Sequence, residues 1–145
     1  MNRDVTEFVV MYMVLQYKLG SAKTLEPEKT DCLKMLIDYM KYNSVEIPTS
    51  FGEYTIDNYE AKYIEDADAT SLALCDFIRS YLVSKEIEDR KYGDMILLEN
   101  QDCKTWGIYM GGGYVMIVDT EAVHVVCVEL TFTVTGCFEC QQQSQ

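Results

Sequence analysis

Cations are scarce in this chain: 12 lysines and arginines stand against 24 aspartates and glutamates, a net charge of −12. So acidic a surface repels phosphate backbones and gains nothing from counterion release, which argues against nucleic acid as a partner. It repels anionic lipid headgroups and anionic cell-wall polymers for the same reason. Histidine is scarcer still, with His124 alone. Long apolar runs are missing too: none approaches eighteen residues, so no transmembrane helix and no membrane insertion are expected. The N-terminal stretch MNRDVTEFVVMYMVLQYKLG is apolar in part, but Asp4 and Glu7 precede its apolar residues and QYKLGSAK makes a poor cleavage site. It reads as a core helix, not a signal peptide. The expectation is a protein that stays in a cytosol or leaves it without a cleaved signal. The sequence shows no internal repeat.

What is present is a core. With 145 residues, 48% of them hydrophobic, the chain can bury the interior of one compact domain but not of two. Six cysteines (Cys32, Cys75, Cys103, Cys127, Cys137, Cys140) are many for this length. Without a secretion signal they are expected to be reduced. Cys75 in SLALCDFI and Cys127 in VHVVCVEL sit within apolar patterns and read as small core residues.

Helical periodicity dominates the first half. Asp4 and Glu7 form a start signal for a helix over 4–19, with Phe8, Val9, Met11, Tyr12, Leu15 and Leu19 on one face and Gly20 at its end. A second helix starts near Thr30 or Asp31, carries Leu33, Leu36, Ile37 and Met40 on its apolar face, and ends at Asn43. Residues 44–67 are acidic, tyrosine-rich and weakly periodic, and read as a surface insert with at most a helical turn. A third helix fits 68–83 through Leu74, Phe77, Ile78, Tyr81 and Leu82. From residue 91 the pattern becomes DMILLE, TWGIYM, YVMIVD and VHVVCVELTFTV, short β-type runs between turn residues. Helices first and an antiparallel sheet second make the class α+β. One domain over 1–136 is expected, with 137–145, CFECQQQSQ, as a flexible polar tail.

Cys32 is placed at the first turn of a helix. The exposed N–H groups and helix dipole at such a position favour an anion, lower a thiol's pKa and suit a nucleophile. The competing reading is a small apolar residue at a helix start. Cys137 and Cys140, a lone C-x-x-C, offer an outside possibility of half a metal site, completed by Cys103, Cys127 or His124, but a single pair is a weak signal. The run Gly111–Gly113 lacks the lysine and following helix of a phosphate cradle and reads as a hairpin turn. Trp106, Tyr54, Tyr59 and Tyr63 fit either a binding surface or packing beneath a loop.

Several segments occur in a telling order. YKLG at 17–20 is followed by DCLKMLIDYM at 31–40, VEIP at 45–48, YGDMILL at 92–98 and TWGIYMGGG at 105–113. This arrangement resembles the NlpC-type cysteine peptidases, with their papain-like fold, and in particular the versions found in bacteriophage tail proteins. The similarity spans about residues 8–128. It implies that helices pack on a C-terminal antiparallel sheet, that Cys32 holds the nucleophile's position and that Tyr109 is the strand tyrosine. It also puts Thr105 where the catalytic histidine would stand and Ile117 where that histidine's orienting residue would be. Tyr92 replaces the usual proline of a Pro-Gly-Asp turn, and Leu33-Lys34 depart from the usual pattern after the cysteine.

A cysteine peptidase needs a group of near-neutral pKa to take the thiol proton and return it to the leaving amine. Threonine cannot do this, and isoleucine cannot orient anything by hydrogen bonding. Loss of the acid–base group costs roughly 10²–10⁴ in rate. His124, on a following strand, is the one residue that could stand in, if that strand lay beside Thr105, with Asp119 to orient it. The expectation is therefore a degenerate peptidase fold: a structural or assembly component of a phage tail tip, made in the host cytoplasm and located in the virion. Its partners would be other tail proteins or further copies of itself, and no cofactor is expected. The alternative is an active endopeptidase on peptidoglycan peptides with Cys32 as nucleophile.

Overall fold

A computed structural model describes residues 5–99, 104–118, 123–127 and 133–140, with backbone only for 123–127. Chain order is α1 (Thr6–Tyr12), β1 (Gln16–Tyr17), α2 (Ser21–Thr24), β2 (Lys29–Thr30), α3 (Cys32–Tyr42), β3 (Ser50–Phe51), β4 (Tyr54–Thr55), α4 (Tyr59–Glu65) and α5 (Ala67–Arg79). There follow β5 (Leu82–Lys85), a short 3₁₀ turn (Ile87–Asp89), β6 (Met95–Glu99), β7 (Lys104–Gly111), β8 (Tyr114–Val118), β9 (Val123–Cys127) and β10 (Thr133–Cys140). The class is α+β, as the sequence predicts.

Six strands form one antiparallel sheet in the order β5-β10-β6-β7-β8-β9. Alternation along its strands sorts side chains to two faces. Met95, Leu97, Trp106, Ile108, Met116, Val118, Phe138 and Cys140 share a cluster with the helices, whereas Ile96, Leu98, Tyr109, Val115, Ile117 and Cys137 make a second cluster. The three glycines between β7 and β8 all take positive φ (84°, 63° and 83°), a hairpin conformation that glycine reaches without steric cost.

The first helix is shorter than its periodicity suggests. It ends at Tyr12, and Gln16–Tyr17 pair in parallel with Lys29–Thr30 instead. Tyr12 anchors that change: its hydroxyl donates to Asp38 Oδ2 at 2.7 Å and meets Thr30 Oγ1 at 2.9 Å. Gly20 does not end a helix; with φ of 88° it precedes α2. Likewise α5 stops at Arg79, and Leu82 and its neighbours pair with β10. In both places a long-range pairing overrides local helical spacing.

Two expectations are corrected outright. Residues 137–140 are not a tail: they form the end of β10, paired to β5 on one side and β6 on the other, with Cys137 and Cys140 buried. Nor is 44–67 a surface insert, since Val45, Phe51, Tyr54 and Tyr59 belong to the main core. Phe51 stacks on Phe77 of α5 at 4.7 Å and on Tyr54 at 5.3 Å. Its tyrosines and phenylalanine carry the packing, so its acidic residues hide an apolar face too irregular for a periodicity test.

Candidate functional site

The site is built on the entry to α3. Asp31 is the N-cap: its Oδ1 accepts from Lys34 N at 2.8 Å, one of the orphan donors of the first turn. Its Oδ2 accepts from Gly20 N, also at 2.8 Å, tying α3 to the turn before α2. Asp31 is fully buried, and burial pushes its carboxyl pKa up from 3.8 against those N–H bonds. Cys32 follows, half-buried, with its sulfur in dense surroundings.

Thr105 stands where the alignment of motifs puts it, opposite this sulfur. Its hydroxyl and the Trp106 backbone N–H both hydrogen-bond Cys32 and favour the thiolate. They are outweighed by burial first, then by the negative Asp31 and by Cys75, so the thiol is pushed up to about 12. Of the two readings of a cysteine at a helix start, activation by the helix dipole is therefore not what dominates at Cys32. A helix dipole is worth about 0.3–1 kcal/mol, and the capping position next to the sulfur is already held by a carboxylate. None of the groups acting most strongly on the thiol is a cation.

A further residue completes the site, and the sequence motifs do not name it. Tyr59, the first residue of α4, is 2% exposed, and its hydroxyl pKa is raised by burial and by the nearby Cys32 and Asp31. Tyr63 and Tyr17 are close enough to add to that shift. The neighbouring Glu60 lies so close to Gly20 that a Cβ there would sit 2.6 Å from Glu60 Oε2. The segment read as an insert thus packs against the Gly20 turn, which itself holds Asp31. The Tyr-x-x-x-Tyr spacing of Tyr59 and Tyr63 is the one sequence signal that could have placed them on a helix face.

Trp106 is 1% exposed, meets Phe138 edge-on at 5.4 Å and lies beside the Cys75 thiol, itself pushed up to about 11 by burial. Its indole N–H is directed at the Cys75 sulfur, whereas the Ser21 hydroxyl is buried without a hydrogen-bond partner among the described residues. Trp106, Tyr54 and Tyr59 are therefore core, not an exposed binding surface.

The remaining predicted positions disperse. Ile117, in the orienter's place, is 3% exposed within the second apolar cluster. Tyr109 is buried; its hydroxyl accepts from Gly113 N at 3.2 Å and the Arg90 guanidinium lies 5.3 Å over its ring. His124 pairs with Ile117, which pairs with Gly107, so β8 separates its strand from β7 by two strand spacings, on the order of 10 Å. The strand carrying His124 is thus not beside Thr105; its side chain and Asp119 lie outside the described residues, as do the side chain of Cys127 and all of Cys103. Cys137 and Cys140 project to opposite faces of the sheet: Cys137 lies 3.7 Å from Asp94 Oδ2, Cys140 3.9 Å from Met40 Sδ. One metal ion cannot reach both, and no metal-holding group of side chains occurs among the described residues. No described helix is long and apolar enough to cross a membrane.

The YGD motif has a structural role. Gly93 takes φ of 95°, and buried Asp94 accepts from Lys91 N at 2.8 Å and pairs with Lys85 Nζ at 2.7 Å.

Comparison with known proteins adds the fold. No protein-family model matches the chain, and no curated protein does. Among solved structures, NlpC1 from Trichomonas vaginalis is similar over 90% of this chain, with a TM-score of 0.56 and 16% sequence identity. The match covers 41% of that chain, so this protein spans well under half of its length. The fold is NlpC-like and papain-like: helices packed on an antiparallel sheet, with a cysteine opening the central helix.

Proposed function

We propose that this protein is a non-catalytic NlpC-like module that works as a structural or assembly component. The observation that carries the reading is the environment of Cys32: a threonine hydroxyl where the base belongs, a thiol raised to about 12, and no cation among the groups that act on it most strongly. At neutral pH such a thiol is ionised in roughly one molecule in 10⁵. A peptide substrate would also have to find a proton acceptor that Thr105 cannot supply.

The finer part of the reading is location. The sequence resembles the tail-protein versions of the fold, and the acidic surface fits a partner-bound part better than a wall-bound enzyme. We place it in a bacteriophage tail tip, packed against other tail proteins. Two measurements test this. Incubated with peptidoglycan stem peptides, the protein should leave them intact, indistinguishably from Cys32→Ser; cleavage lost in that variant overturns the non-catalytic reading. Purified tails should contain the chain at a fixed stoichiometry; its absence from them overturns the location.

A further inference from the structure

A cleft of about 540 Å³ lies at the β5–β10 end of the sheet, two strands away from β7. Arg79 from the end of α5, Ser84–Ile87 and Thr135–Phe138 line it. Its shape follows from an irregularity in β10. Pairing with β6 slips between Val134 and Gly136, and a Cβ on Gly136 would sit 2.7 Å from the Phe138 ring, so a side chain there would have to displace that ring.

The chemistry of the lining is specific. In a chain with twice as many acids as bases, two cations border one cleft. Lys85 is committed to Asp94 at 2.7 Å and is 18% exposed. Arg79 is exposed, with its guanidinium carbon 5.7 Å from the Phe138 ring centroid, an arrangement that orients the planar fork. The Thr135 hydroxyl donates to Leu97 O at 3.3 Å, which leaves Ser84 as the hydroxyl donor toward a ligand. Glu86 also lines the cleft, so a dianion would meet repulsion that one free-standing charge and one committed charge do not offset.

We propose that this cleft binds a carboxylate, gripped by the Arg79 fork with Ser84 as a second donor. A planar monoanion matches a guanidinium bidentately, whereas a phosphate dianion needs more positive charge than the cleft holds. The carboxylate belongs either to a small acid or to the end of a partner's chain.

Amide chemical shifts of the ¹⁵N-labelled protein, titrated with sodium acetate, N-acetyl-trialanine and the trialanine amide, test the proposal. Saturable shifts centred on Ser84–Ile87 and Gly136–Phe138 are expected with both carboxylates and none with the amide. Tripeptide affinity at least tenfold above acetate assigns a chain end, and equal affinity a small acid; either supports the site. Arg79→Ala should weaken binding at least about tenfold, and Arg79→Lys less, because the charge survives without the fork. Lys41→Ala, on α3, should change nothing. No saturable shift, equal binding in Arg79→Ala, or inorganic phosphate binding more tightly than acetate would each overturn the proposal.

Discussion

Replacing Tyr59 by alanine should both weaken the fold and wake Cys32. Tyr59 is 2% exposed and near enough to Cys32 and Asp31 for both to raise its hydroxyl pKa. Truncating a fully buried aromatic ring costs about 3–5 kcal/mol, part transfer and part cavity. Conserving the ring in Tyr59→Phe should cost only about 1 kcal/mol. Reactivity follows from the same contact. Burial is the largest influence raising the Cys32 thiol from 9 to about 12. Full relief would multiply the thiolate fraction at pH 7 by as much as about 10³, and even a third of that shift gives about tenfold. Urea unfolding gives the stability change. Iodoacetamide labelling below the unfolding transition, read by intact mass and peptide mapping, gives the Cys32 rate. Labelling must be compared at equal folded fraction, so that global opening does not mimic local access. Equal Cys32 rates in Tyr59→Ala and Tyr59→Phe, with a stability difference under about 1 kcal/mol, would refute the view that the Tyr59 ring contributes to the burial of Cys32.

Other substitutions probe the frame. Thr105→His puts an imidazole against the sulfur; neutral-pH labelling of Cys32 should rise by an order of magnitude or more, measured by the same mass assay, while stem peptides stay uncut because Ile117 cannot orient the ring. Gly20→Ala meets both a φ of 88° and the Glu60 carboxylate, and should cost about 1–3 kcal/mol in urea unfolding, with Glu60→Ala restoring only the steric part. Lys85→Ala removes the cation paired with the 1%-exposed Asp94 carboxylate, which keeps its Lys91 N–H bond, and should cost about 1–3 kcal/mol, read from thermal and urea unfolding. Asp31 has a raised pKa when folded, so it binds its proton more tightly in the native state. That contribution is whole below about 4 and is lost as pH rises through the folded value. The urea midpoint of the wild type should therefore decline relative to Asp31→Asn between about pH 4 and neutrality; a parallel pH dependence would contradict the assignment.

Much of the sheet half of the fold was legible, because hairpins announce themselves locally. MILLE, TWGIYMG and YVMIV are strands in the structure, and the triple glycine is their turn. The cap at Asp31 and the end at Asn43 were legible for the same reason. What sequence could not show is non-local. Leu82–Lys85 continues a helical pattern yet serves β10, fifty residues later, and CFEC reads as a polar tail because its cysteines lie in two different cores and show no single apolar face. The site divides the same way. The structure sets the Thr105 hydroxyl against Cys32, two positions the motif order singles out, but the thiol's environment depends on burial and on Asp31 and Cys75, which no motif spacing conveys. Position at a helix start suggested activation; desolvation and a neighbouring carboxylate decide the matter instead.

Cys32 is a half-buried, unactivated thiol, and its pH-dependent alkylation tests that most directly. The Cys32 labelling rate in the native protein, followed from pH 6 to 10, should rise throughout without a plateau. At pH 7 it should lie on the order of 10³-fold below that of free cysteine. A rate that levels off near neutrality, at or above the free-cysteine value, would show a thiolate held ready for chemistry and would contradict the account.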